Sequence, residues 1–147
     1  PLPRANEIVM PIAPLLAGKA DDWRDSVYLE HGYARGVVTE RWKYIALRYP
    51  SEVMKQLETG RRQQPPRIGF NRGLANLMAQ RSPNYYQLDQ LYDLTNEPGV
   101  EAFSDRNEQT NLAADPEYAE PLKRMRAQLS GHLKTFDNRP FGEFAAG

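Results

Sequence analysis

The chain has 147 residues, with 19 Lys+Arg against 19 Asp+Glu and a formal net charge of zero. That balance excludes a general nucleic-acid or membrane-surface binder, which carries a basic excess or stripe. Without cysteine, a disulfide framework, a thiolate zinc site and a cysteine nucleophile are excluded too. Hydrophobic residues make up 40% and the mean hydropathy is −0.72. A chain of this size and polarity forms one domain, 1–147, whose thin core is expected to lean on a neighbour. No apolar run approaches the ~18 residues of a membrane span. The start, Pro1-Leu2-Pro3-Arg4, has neither an initiator Met nor a signal-peptide pattern and reads as a cut end.

Residues 1–24 carry Pro1, Pro3, Pro11 and Pro14 with little periodicity. They predict an irregular lead-in, with one helical turn at 12–16 stopped by Gly18. Three segments rich in β-branched and aromatic residues follow: 26–30 (SVYLE), 33–39 (YARGVVT) and 41–49 (RWKYIALRY). Short polar breaks between them predict an antiparallel meander. In the third, Trp42, Tyr44, Ala46 and Arg48 share one face and Lys43, Ile45, Leu47 and Tyr49 the other. Apolar weight on both faces predicts a central strand.

Residues 51–88 read as an insertion. Ser51 is expected to cap a short helix to Leu57, with Gly60 as its stop. Arg61, Arg62 and Arg67 form a small basic cluster, and 73–81 is a second candidate helix. Alternation returns at 90–94 (QLYDL), the fourth predicted strand. Asp115-Pro116 then opens a helix expected over 115–135. It carries Tyr118, Leu122, Met125, Leu129 and His132 on one face, and Pro121 is expected to kink its first turn. The predicted fold is α+β: four antiparallel strands with one long C-terminal helix packed on them, plus a helical or irregular insertion.

Several strings within these elements stand in a recognisable order. They are Leu15-Leu16, Trp23-Arg24-Asp25, Glu30, Arg35 and Thr39-Glu40-Arg41-Trp42-Lys43-Tyr44-Ile45. Leu91-Tyr92-Asp93-Leu94, Asn96-Glu97-Pro98-Gly99, Glu108-Gln109-Thr110-Asn111-Leu112-Ala113 and Asp115-Pro116 follow. In this order the chain resembles the C-terminal subdomain of the sulfatases of the alkaline-phosphatase superfamily. Two stretches are longer than that pattern, at 51–87 and 100–107. On residue chemistry alone, Asn111 can bond loop amides and Leu112 can pin its loop to the helix, a structural clasp that needs no ligand.

The resemblance implies a parent enzyme that cleaves sulfate esters with a formylglycine and a calcium ion, both held by a catalytic domain. It is also compatible with a periplasmic or secreted parent. None of that apparatus is in this chain: there is no Cys, and no Ser is followed by x-Pro-x-Arg. The chain itself is therefore expected to be non-catalytic and to hold no metal. Asp21-Asp22 follows Gly18-Lys19-Ala20 and reads as a solvated loop pair. In resembling proteins the first two strands face the catalytic domain, which makes Glu30, His31 and Arg35 candidates for the rim of the substrate pocket. The alternatives are interdomain hydrogen bonds or simple solvation, since one His without a base or metal has no chemistry of its own. His132 is expected at the core edge.

The interleaved Arg41, Lys43 and Arg48 with Trp42, Tyr44 and Tyr49 could hold an anionic sugar or a nucleic-acid strand, or be a strand with one packed and one solvated face. Expected partners are the catalytic domain, a sulfated sugar or aryl sulfate, or a second copy. Neither nucleic acid nor a membrane is expected. Two other readings stay open: the same subdomain in a phosphate or phosphonate ester hydrolase, and a stand-alone module that binds sulfated glycans.

Overall fold

The computed structural model describes residues 24–66, 82–94 and 108–136, together with Leu16 and Gly18. The first strand, β1 (Val27–His31), turns through Gly32-Tyr33 into β2 (Ala34–Val38). A two-residue loop favours positive φ at its centre, and Gly32 takes φ +55° there without steric cost. A second tight turn leads to β3 (Trp42–Leu47), held as Thr39 Oγ1 accepts from Trp42 N at 2.9 Å. The α1 helix (Ser51–Glu58) follows, and then β4 (Asp89–Asp93). All pairings are antiparallel in the order β1-β2-β3-β4, so β3 is an interior strand as its two apolar faces require.

Register sorts the side chains. Tyr28, Val37, Tyr44 and Leu91 line up across all four strands on one face. On that face lies α2 (Ala119–Lys134), which buries Leu122, Met125, Leu129 and Leu133. These residues and Trp42 and Ala46 form one core cluster, with Leu112 and Tyr118 packed against it. Leu129, 1% exposed, contributes roughly 1.5–3 kcal/mol by its burial. The expected stripe holds, with two adjustments. Leu133 completes it, while His132 is only half-buried.

Two local expectations change. Pro50, not Ser51, is the N-cap of α1, and no side chain caps it. The Pro50 ring fixes φ at −53°, and with ψ at 146° the residue stays outside the helix, so Ser51 becomes the first helical residue. Gly60, at φ +70°, does end that helix. At the other helix, Asp115 accepts from Glu117 N at 3.0 Å and opens a 3₁₀ turn (Pro116–Tyr118) that runs into α2. Pro121 is thus the third residue of α2, where an N–H has no partner inside the helix. The candidate helix at 73–81 and most of the turn at 12–16 lie outside the described residues. Among those described, no helix is long and apolar enough to cross a membrane.

The opposite sheet face carries the row Leu29, Gly36, Ile45 and Gln90. A Cβ on Gly36 would stand 3.1 Å from the Tyr44 carbonyl oxygen, 3.7 Å from Leu29 Cβ and 3.8 Å from Ile45 Cγ1. Backbone cannot yield as a flexible side chain can. Gly36→Ala is therefore expected to lower the unfolding free energy by about 1 kcal/mol, despite alanine's smaller entropy loss on folding. Urea unfolding of the two proteins checks this, and an alanine variant as stable as the parent would contradict it.

Candidate functional site

Glu30 and Arg35 are cross-strand partners, and they meet: Arg35 Nη2 lies 3.1 Å from Glu30 Oε1. Arg35 Nη1 also donates to the carbonyls of Gly32 and Ala34, at 2.8 and 2.9 Å. The guanidinium thus braces the β1–β2 turn from which it projects. Glu30 accepts a further bond from Tyr28 OH at 2.9 Å. His31 is exposed and stands on the other face of β1, because side chains alternate along a strand. The sheet therefore brings together two of the three rim candidates and turns the third away.

A second polar cluster lies on the same face, next along the row. Glu30, Arg35, Ala46 and Asp89 are successive cross-strand neighbours. Asp89 accepts from Tyr44 OH at 2.5 Å and from Arg48 Nη2 at 2.8 Å. Arg126, reaching from α2, places Nη2 3.3 Å away. Burial pushes the Asp89 carboxyl up, but hydrogen bonds from Arg48 and Tyr44 and the charges of Arg48 and Arg126 outweigh it. Its pKa ends below the ordinary aspartate value. Tyr44 moves upward, by burial first and then by its bond to Asp89. The cluster ties strand, strand and helix together. In the sequence its one signal is that Asp89 shares parity with Leu91, which stands an acid on the apolar face.

The remaining cations of the third strand are also engaged. Arg41 lies over the Trp42 ring at 4.8 Å and grips Asp93 through Nε and Nη2, at 3.2 and 2.9 Å from Oδ2. Lys43 Nζ donates to both Glu108 carboxylate oxygens, at 2.8 and 2.9 Å. With Arg48 on Asp89, the strand is a braced, half-packed element whose cations are paired with carboxylates. His132 Nε2 and Ser26 Oγ are hydrogen-bonded at 2.8 Å beside the Tyr28 ring, as a core-edge histidine should be. Arg61 and Arg62 are exposed, while Arg67 and Asp21-Asp22 lie outside the described residues.

The most specific local device is at the outer edge of β4. Asn111 Oδ1 accepts from Leu91 N at 2.8 Å and from Ala113 N at 3.0 Å. Its Nδ2 donates to the Asp89 carbonyl at 2.8 Å and to Gln87 Oε1. Leu112 N then donates to the Leu91 carbonyl at 2.9 Å. A side-chain amide followed by one backbone amide thereby closes an edge that would otherwise present unpaired groups. Among the described residues no cluster of three or more His, Cys, Asp or Glu could hold a metal ion. No protein-family model matches the chain, and no curated protein matches it.

Proposed function

We propose that this chain is the C-terminal, non-catalytic subdomain of a sulfatase-family hydrolase, supporting a catalytic domain, with Glu30, His31 and Arg35 around the β1–β2 turn as candidates for the rim of its substrate pocket. The observation that carries the reading is the Asn111 clasp. The Glu-x-x-Asn-Leu-Ala loop seals the edge of the Leu-Tyr-Asp-Leu strand immediately before the Asp-Pro helix start, so three of the resembling strings act as one unit. Further support comes from β1. Val27 and Leu29 are 42% and 44% exposed on the face away from α2, an apolar surface suited to a covering neighbour. Formylglycine and calcium belong, in this reading, to the catalytic domain, where a cation and fixed donors absorb charge developing on the transferring group.

The test is to read the gene upstream of the Pro1 codon and assay its full product. An open frame encoding an aspartate pair after a hydrophobic strand, then Cys/Ser-x-Pro-x-Arg, is expected. Its product should release 4-nitrophenol from the sulfate ester, whereas this chain alone should not. A start codon just upstream without such a motif, or hydrolysis by this chain alone, sinks the reading. A product that cleaves phosphate or phosphonate esters and not sulfate esters reassigns the parent within the superfamily.

A further inference from the structure

One flank of α2 carries an excess of charge that the chain as a whole lacks. From 121 to 134 the sequence holds Lys123, Arg124, Arg126 and Lys134 and no Asp or Glu, within a chain of zero formal net charge. Lys123, Arg124 and Lys134 are exposed, and none of them makes an ion pair among the described residues. Arg126 is engaged with Asp89 at 3.3 Å, yet its side chain keeps 35% of its exposure. The helix dipole favours a cation at Lys134, in the last turn. It gives no such support to Lys123 and Arg124, which stand in the first half of the helix. Glu120, the nearest acid along α2, pairs with neither.

The flank is also shaped. Ala119, Lys123, Ala127, Ser130 and Lys134 recur at spacings of four and three, a single stripe along the helix. With Arg126 they line an open groove of about 540 Å³, a volume ordinary for a ligand of a few rings. Its cations stand apart: about 4.5 Å of helix separates Lys123 from Arg126, and about 12 Å separates Arg126 from Lys134. Small side chains, Ala127 and Ser130, lie between them. Positive charges spaced along a line attract a linear chain whose negative groups are spaced as well. We propose that this flank of α2 binds a sulfated polysaccharide, with Lys123, Arg126 and Lys134 meeting its sulfates and the Ser130 hydroxyl meeting its ring hydroxyls. The described lining has no aromatic side chain, the platform on which a single nucleic-acid strand stacks its bases. The backbone groups of a helix are spent within it, so an acidic peptide would gain charge contacts alone. The inference goes beyond the pocket rim and is independent of the sulfatase parentage, since every residue it uses is in this chain.

The test titrates the 147-residue chain with a heparin hexasaccharide by calorimetry. Saturable binding is expected at about 0.15 M salt and its loss near 1 M, where the Debye length falls to about 3 Å. The fully desulfated hexasaccharide should not bind. Lys123→Gln combined with Lys134→Gln should weaken binding about ten-fold, roughly three-fold for each exposed charge pair. Both side chains are exposed, so the melting temperature should stay that of the parent. Arg61→Gln combined with Arg62→Gln, at exposed positions after α1, should bind as the parent does. The proposal is overturned if the hexasaccharide does not saturate, if its desulfated form binds equally, or if the double lysine variant binds undiminished. Tighter binding of oligothymidylate or polyglutamate of matched charge would equally overturn it, by giving the flank to another polyanion.

Discussion

Asn111→Ala is expected to cost about 3 kcal/mol of folding stability. The side chain makes four hydrogen bonds, and one of them satisfies the N–H of Leu91, a fully buried residue. Each ordinary bond is worth roughly 0.5–1.5 kcal/mol net, and a buried N–H left without a partner costs about 1–3 kcal/mol more. For a domain of this size such a loss lowers the melting temperature by roughly 10 °C. Asn111→Asp separates the two halves of the clasp. It keeps the acceptor for Leu91 N and Ala113 N but loses the donor to the Asp89 carbonyl, so it should fall between alanine and the parent. Amide exchange at Leu91 should accelerate in the alanine variant ahead of that in β2. A melting temperature unchanged within a degree would mean that water replaces the clasp at no cost.

Asp89→Ala is expected to cost about 2–3 kcal/mol at neutral pH. It leaves Arg48, the buried Tyr44 hydroxyl and Arg126 without their shared acceptor. Breaking a fully buried ion pair costs roughly 3–5 kcal/mol. The Asp89 and Arg126 side chains keep 27% and 35% of their exposure, and solvent screening reduces the figure accordingly. The pH dependence gives a sharper signature. The folded carboxyl titrates below its unfolded value, so its contribution is complete above an unfolded pKa of ~3.9 and is lost as pH falls through the folded pKa. The stability gap between parent and Asp89→Asn should accordingly be constant from pH 7 to 5 and shrink below pH 4. Urea midpoints measured across that range decide the matter, and a gap that persists undiminished at pH 2 would refute the assignment.

The two variants differ in how visible their residues are before folding. Asn111 stands three residues after Glu108 and next to Leu112, in a turn-rich stretch where an amide side chain is expected to bond nearby backbone. Its clasping role could be read from that neighbourhood. Asp89 sits one residue ahead of the predicted strand, and nothing local links it to Arg126, 37 positions further along the chain. The rim candidates show the same division. Glu30 and Arg35 are close in sequence and flank a glycine turn, so their ion pair follows once the hairpin forms. That His31 stands on the other face follows from strand alternation alone.

Periodicity, turn residues and the Asp-Pro start signal determined the strands, the interior position of β3 and the apolar stripe of α2. Each of these depends on interactions within a few residues, or on the two-fold and 3.6-fold repeats of the backbone. Tertiary structure alone decided which cations the third strand would spend internally, on Asp93, Glu108 and Asp89. It also decided that Tyr49 would bury its hydroxyl with no hydrogen-bond partner among the described residues. Charge pairing and burial are set by register across strands and by where the helix lies on the sheet. Such distances join residues tens of positions apart, and no local pattern encodes them.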